Sequence, residues 1–176
     1  DFMESYPDVG IGGCYVYYPD GKSQTSFYKF PTISSYFSRM LSLFRILPQC
    51  EFTQKFFWEY SKNNISLYVD RVLGGAMVLR RKMLEQVGLF DEAYFMYAEE
   101  MDLCYRANLK GWKVSAVPGT NVVHYHQQST YQNIRIATFH IFKSDFLFFK
   151  KFYPLYQVAV LRMMQFCAIF IRALTC

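Results

Sequence analysis

The stretch Val87-Gly88-Leu89-Phe90-Asp91-Glu92-Ala93-Tyr94-Phe95-Met96-Tyr97-Ala98-Glu99-Glu100-Met101-Asp102-Leu103-Cys104-Tyr105-Arg106 decides how this chain is read. Five of the chain's fourteen acids, Asp91, Glu92, Glu99, Glu100 and Asp102, lie within it. Gly88 suits a helix C-terminus, where a positive φ is wanted. Leu89-Phe90-Asp91-Glu92 then reads as a turn whose two apolar side chains anchor it to a core. Met101, Cys104, Tyr105 and Leu109 recur at spacings of three and four, so Ala98 to Lys110 is expected to be a helix. Glu99, Glu100 and Asp102 fall in its first turn, where unpaired N–H groups and the positive dipole end favour negative charge.

That position admits two accounts of the acids. In one they only stabilise a helix start, and Asp102 with Arg106 forms an ordinary i,i+4 ion pair. In the other Glu100 is a general base, with Glu99 or Asp102 steering and hydrogen-bonding around it. Neighbouring carboxylates raise one another's pKa, which suits proton abstraction from an alcohol.

Outward from the acids, Gly111 ends the helix. Trp112, Val114 and Ala116 alternate as a half-buried strand expected to stop at Pro118. His124 and His126 are two apart and share a face of any strand, but neither a cysteine pair nor a third nearby histidine completes a zinc site. On the other side, Tyr68 to Leu79 reads as one strand containing Gly74-Gly75, followed by a short helix from Arg81 to Val87. Two glycines in a strand mark a bulge or a close crossing. Asp1 to Tyr6 reads as a helix end, Val9 to Tyr18 as a strand and Pro19-Asp20-Gly21-Lys22 as a turn. Ser34 to Ile46 and Phe52 to Tyr60 read as helices.

Composition works mainly by exclusion. The net charge is +5, from nineteen basic and fourteen acidic residues. The basic residues are spread along the chain, which argues against nucleic-acid binding. Five cysteines, an odd number without C-x-x-C spacing, imply free thiols in a reducing compartment. Beyond the aromatic and lysine run Phe146 to Tyr153, Leu155 to Leu174 reads as a helix. Arg162 and Arg172 interrupt it, leaving no run of the roughly eighteen apolar residues that a membrane span needs. At about 100° per residue Arg162, Gln165 and Arg172 share one stripe. The wide apolar remainder suits either a membrane interface or packing on the chain's own domain.

Several of these motifs, in register, resemble the family 2 inverting glycosyltransferases, the rhamnosyltransferase-like branch above all. The matching runs are Val72-Leu73-Gly74-Gly75-Ala76-Met77-Val78-Leu79-Arg80-Arg81, then Val87-Gly88-Leu89-Phe90-Asp91-Glu92, then Phe95 to Leu103, and the later Val122-Val123-His124. Tyr6 to Gly12 and Pro19-Asp20-Gly21 resemble the family's segment after its nucleotide-sugar site. The resemblance implies an α/β fold, part of a GT-A-type domain over residues 1–145, followed by an amphipathic tail over 146–176. It implies transfer of a sugar, rhamnose as first choice, from a nucleotide donor to a polysaccharide or lipid-linked glycan acceptor, with inversion. By the same resemblance Glu100 stands at the catalytic base, where the family has Asp. Gly74, Gly75, Glu99 and Asp102 would border the substrates, and His124 would help hold a divalent metal, Mn or Mg. Work in the cytoplasm at the inner membrane face is expected of such an enzyme. The family's D-x-D metal motif has no counterpart here, so this sequence is expected to be the C-terminal part of a longer protein and inactive alone. The competing class is a non-catalytic membrane-surface or protein-interaction module whose acidic cluster only caps a helix.

Overall fold

The structure, a computed structural model, describes residues 1–40, 67–125 and 134–175. The chain is mixed α/β. After a short helix α1 (Phe2–Ser5), strand β1 (Val9–Tyr17) runs through the middle of a five-stranded sheet. Strand β7 (Lys113–Val123) lies parallel along one edge of β1. Along the other edge β1 pairs antiparallel with β2 (Ser23–Gln24) and β6 (Met77–Leu79). Strand β4 (Tyr68–Val69) pairs antiparallel with the far side of β7. A separate two-stranded ribbon joins β3 (Phe27–Tyr28) to β5 (Arg71–Val72). The helices are α2 (Ile33–Met40), α3 (Arg81–Val87), α4 (Glu99–Leu109), α5 (Ile134–Phe152) and α6 (Leu155–Thr175).

Two buried clusters hold these elements, and α4 belongs to both. Its Leu103, Cys104 and Ala107 pack with Ile11, Val72 and Val114 under the sheet. Its Met101, with Ala98 just before it, packs with Tyr36 of α2, Phe148 and Phe149 of α5, and Leu161 of α6. The acid-bearing helix is therefore clamped on two sides. Close packing also explains Gly13 of β1. A Cβ there would meet the Val72 side chain at 2.5 Å, closer than real Cβ contacts come.

Some expectations need correction. The strand expected from Tyr68 to Leu79 is three short strands, because a turn at Gly74-Gly75 sends β5 to β3 and β6 to β1. The strand expected to stop at Pro118 continues to Val123. Its pairing with β1 shifts from Ala116↔Gly13 to Asn121↔Tyr15, so Pro118 sits in a looped-out stretch where no ladder N–H is required. The turn at Leu89-Phe90 is not anchored by those side chains, since Leu89 is 72% exposed. Arg106 secures it instead, donating to the carbonyls of Val87 and Leu89.

The tail is integral to the second cluster. Helix α5 runs unbroken through residues 145 and 146, so the expected division falls inside a helix. Val158, Leu161 and Met164 of α6 are buried, and Gln165, expected on a polar stripe, is buried too. Its Nε2 donates to the Phe142 carbonyl at 3.0 Å and to the Tyr36 hydroxyl at 3.3 Å. Among the described residues no helix is long and apolar enough to cross a membrane. The expected helix from Phe52 to Tyr60, the far half of Ser34 to Ile46, and His126 lie outside the described residues.

Candidate active site

The Gly74-Gly75 turn lies between Glu100 and His124. A Cβ on Gly74 would stand 3.3 Å from Cβ of Glu100, and one on Gly75 would stand 3.9 Å from Nε2 of His124. Three segments distant in sequence thus bring Gly74, Gly75, Glu100 and His124 together. A side chain at 74 would press on the Glu100 stem.

Glu100 is set by its backbone and by a cation. Tyr97 and Ala98, the two residues ahead of α4, both have φ of 66°, a left-handed conformation that side chains other than Gly adopt at a cost. Consecutive residues held in this way are a recognised mark of functional sites. Arg71 of β5 donates through Nη1 to Glu100 Oε1 at 2.9 Å, with both side chains about nine-tenths buried. The Arg71 guanidinium also lies 4.4 Å over the Tyr28 ring, an arrangement that reinforces its position.

Glu99 is in a different state. It is half-buried, and its Oε2 makes no hydrogen bond among the described residues. Burial, then the neighbouring Glu100 charge, raises its carboxyl above the ordinary value.

Asp102 points away from the glycine turn and is sealed from solvent at 0% exposure. Arg106 Nε donates to its Oδ2 at 2.6 Å and Lys151 Nζ to its Oδ1 at 2.7 Å, with the Tyr94 hydroxyl at 3.4 Å. Lys151 also reaches Asp91 Oδ2 at 2.8 Å, and this bond holds the Asp91 carboxyl below its usual range. The Tyr94 hydroxyl is pushed up by burial and by the Asp102 charge. One lysine of α5 therefore ties the Asp91 turn to the acid-bearing helix.

His124 follows the last residue of β7. Its backbone N–H donates to Tyr17 O at 2.9 Å, and its Nδ1 lies 3.2 Å from Gln24 Oε1 on β2. Its Nε2 lies on the Gly75 side. An imidazole so oriented has the arrangement of a metal ligand with its supporting hydrogen bond. Among the described residues no group of three or more His, Cys, Asp or Glu converges, so His124 would be one ligand in a set completed elsewhere.

Arg71, Gln24 and Lys151 are not evident from sequence. Arg71 lies only three residues before Gly74, but nothing in the spacing shows that its side chain turns toward Glu100. Arg80, the last residue of the G-G-x-x-x-x-R run, has a bracing role. It donates to the carbonyls of Val9, Met3 and Tyr6. Cys104 is wholly buried, its thiol pushed up to about 12 by burial, and no nucleophile is expected there.

With this geometry in place, similarity to known proteins is informative. A 57-residue stretch, 32% of this chain, is 44% identical to N-acetylglucosaminyl-diphospho-decaprenol L-rhamnosyltransferase of Mycobacterium tuberculosis (strain CDC 1551 / Oshkosh) and covers 19% of that protein. Over 64 residues, 34% of this chain, it is 39% identical to rhamnosyltransferase WbbL of Escherichia coli (strain K12), covering 24% of it. Over these stretches the chain is similar to rhamnosyltransferases. A longer and weaker likeness, 26% identity over 132 residues, covers 70% of this chain and 9% of the O-antigen biosynthesis protein RfbC of Myxococcus xanthus. No protein-family model matches the chain, and no solved structure matches it. The first two matches thus span about a fifth to a quarter of those relatives' length.

Proposed function

We propose that this chain carries the base-bearing part of a GT-A-type, inverting glycosyltransferase. The observation that supports it most directly is the Gly74-Gly75 turn set between Glu100 and His124, with strained backbone just ahead of the acid pair. In this reading Glu100 accepts the proton of an acceptor hydroxyl. The hydroxyl oxygen attacks the donor's anomeric carbon from the side opposite the diphosphate. The bond from that carbon to the diphosphate oxygen breaks, its electron pair leaves with the diphosphate, and the configuration inverts. Arg71 acts as a positioning residue, fixing one oxygen of Glu100. Glu99, its neighbour in the first turn of α4, is assigned a steering role beside Glu100. Asp102 braces α4 and does not meet substrate.

His124, fixed by Gln24, would supply one ligand to a Mn or Mg ion. When bound, that ion offsets charge on the departing diphosphate. Rhamnose is the donor sugar favoured by the relatives' names, and one of those relatives is named for a diphospho-decaprenol acceptor. We assign this chain the same classes, a deoxyhexose nucleotide donor and a glycan or lipid-linked acceptor, acting at the cytoplasmic membrane face.

A second reading rests on the Arg71–Glu100 pair, which would equally serve a non-catalytic domain by neutralising a buried charge. Incubating the natural protein that carries these residues with nucleotide-rhamnose, a lipid-linked acceptor and Mn separates the two. A product with the anomeric configuration inverted relative to the donor, assigned by NMR, is expected. Transfer with retained configuration, or no transfer from any nucleotide sugar, overturns the proposal.

A further inference from the structure

The α5–α6 hairpin turns an apolar surface away from the second cluster. Phe139 of α5 and Met163, Phe166, Ile169 and Phe170 of α6 are exposed, Phe166 at 70%. A groove of about 790 Å³ runs between the two helices there, lined also by Phe142 and Phe146. Two cations border it. Lys143 is exposed, and the Arg162 guanidinium lies 3.7 Å over the Phe146 ring.

Charge follows the same segment. Residues 134–175 hold Arg135, Lys143, Lys150, Lys151, Arg162 and Arg172 against a single acid, Asp145. That excess of +5 equals the net charge of the whole chain, so the remainder is neutral on balance. Lys151 is paired with Asp91 and Asp102, and the two cations that border the groove are Lys143 and Arg162.

The surface also continues toward the acids. Phe95, 75% exposed, places its ring 4.9 Å from that of His140, which lies 5.5 Å from the Phe139 ring. Ser144 of α5 donates to the Met96 carbonyl at 2.8 Å, fixing that loop to the hairpin. Tyr97 and Ala98 follow at once, and then Glu99 and Glu100.

Exposed aromatic and aliphatic side chains flanked by Lys143 and Arg162 match an anionic bilayer surface, where rings enter the acyl region and cations meet phosphates. A second copy applied face to face would set Lys143 and Arg162 against their own like charges, which disfavours a twofold dimer. We propose that the α5–α6 hairpin docks this protein on an anionic lipid surface, with Phe139, Phe166 and Ile169 inserted and Lys143 and Arg162 at the headgroups. The docking concerns where an acceptor is met and requires no sugar transfer, so it stands or falls apart from the catalytic reading.

The test is co-sedimentation of the full chain with vesicles of phosphatidylcholine alone, or with about one third phosphatidylglycerol. Binding at least tenfold tighter to the anionic vesicles is expected, and weaker in high salt. Lys143→Ala should weaken it about fivefold. A Phe166→Glu/Ile169→Glu double variant should lose it while keeping the wild-type thermal melt, because both side chains are exposed. No binding by the wild type, equal binding to both vesicles, or full binding by the double variant overturns the proposal. So does a dimer in light scattering that the double variant dissolves.

Discussion

Arg71 and Glu100, from β5 and the first turn of α4, meet at 2.9 Å with both side chains almost entirely buried. This pair joins the strand that leads into the Gly74-Gly75 turn to the helix that presents the acids. Removing one partner of a buried pair leaves the other charge uncompensated, at a cost of about 3–5 kcal/mol. Arg71→Leu should therefore lower Tm sharply, and Arg71→Leu/Glu100→Leu should recover much of the loss. A double-mutant cycle by thermal melts measures the coupling.

The two close glycines separate function from stability. Gly13→Ala would drive a Cβ into Val72 at 2.5 Å, inside the core, and should destabilise by about 1–3 kcal/mol. Gly74→Ala meets only the flexible Glu100 stem at 3.3 Å. It should change Tm little but reduce kcat by about tenfold or more, because a small displacement of a catalytic group is expensive. Melts and steady-state kinetics on both variants check the contrast.

Glu99 and Asp91 should leave opposite marks on the pH dependence of stability. The Glu99 pKa is raised in the folded protein by burial and by Glu100, so its ionisation opposes folding at neutral pH. That penalty fades as pH falls through the folded value toward the ordinary one. Glu99→Gln should thus raise Tm at pH 7, with a gain that shrinks on acidification. Asp91 is the reverse. Its pKa is lowered by Lys151, so it stabilises above its ordinary value and the contribution disappears as pH falls through the folded one. Asp91→Asn should lower Tm at pH 7 and converge with wild type in acid.

Gln24 should set the tautomer of His124. An amide oxygen only accepts, so Nδ1 is expected to carry the proton that faces Gln24 Oε1. Nitrogen NMR of the imidazole should report that tautomer in the wild type and a mixture in Gln24→Leu. A wild-type ring protonated on Nε2 would contradict the role given to Gln24.

The α4 helix was legible because Met101, Cys104, Tyr105 and Leu109 keep one period and Gly111 ends it. The strand after it was legible only as far as Pro118, since the looped-out residues that excuse a proline depend on how β1 pairs with it. Gly74 and Gly75 could be singled out by type, but not the fact that each faces a different site residue. Asp102 illustrates the limit most clearly. Its i,i+4 partner Arg106 is visible in the sequence, whereas Lys151 approaches from forty-nine residues away. The tail was ambiguous for a physical reason, since both alternatives need an apolar helix. In the structure one face of α6 packs against Tyr36, Phe148 and Phe149 while another is exposed. Deleting residues 155–176 would therefore uncover Phe148 and Phe149 and should cause aggregation.

The central claim is that Glu100 accepts the acceptor's proton, and Glu100→Gln in the natural protein carrying these residues tests it most directly. The amide preserves size and can still accept from Arg71 Nη1 through its oxygen, but it cannot take up a proton at neutral pH. Assayed at a temperature where the variant is folded, kcat should fall by about 10²-fold or more, and Glu100→Asp should retain much of the activity. A Glu100→Gln enzyme with near wild-type kcat would contradict the account and place the base elsewhere.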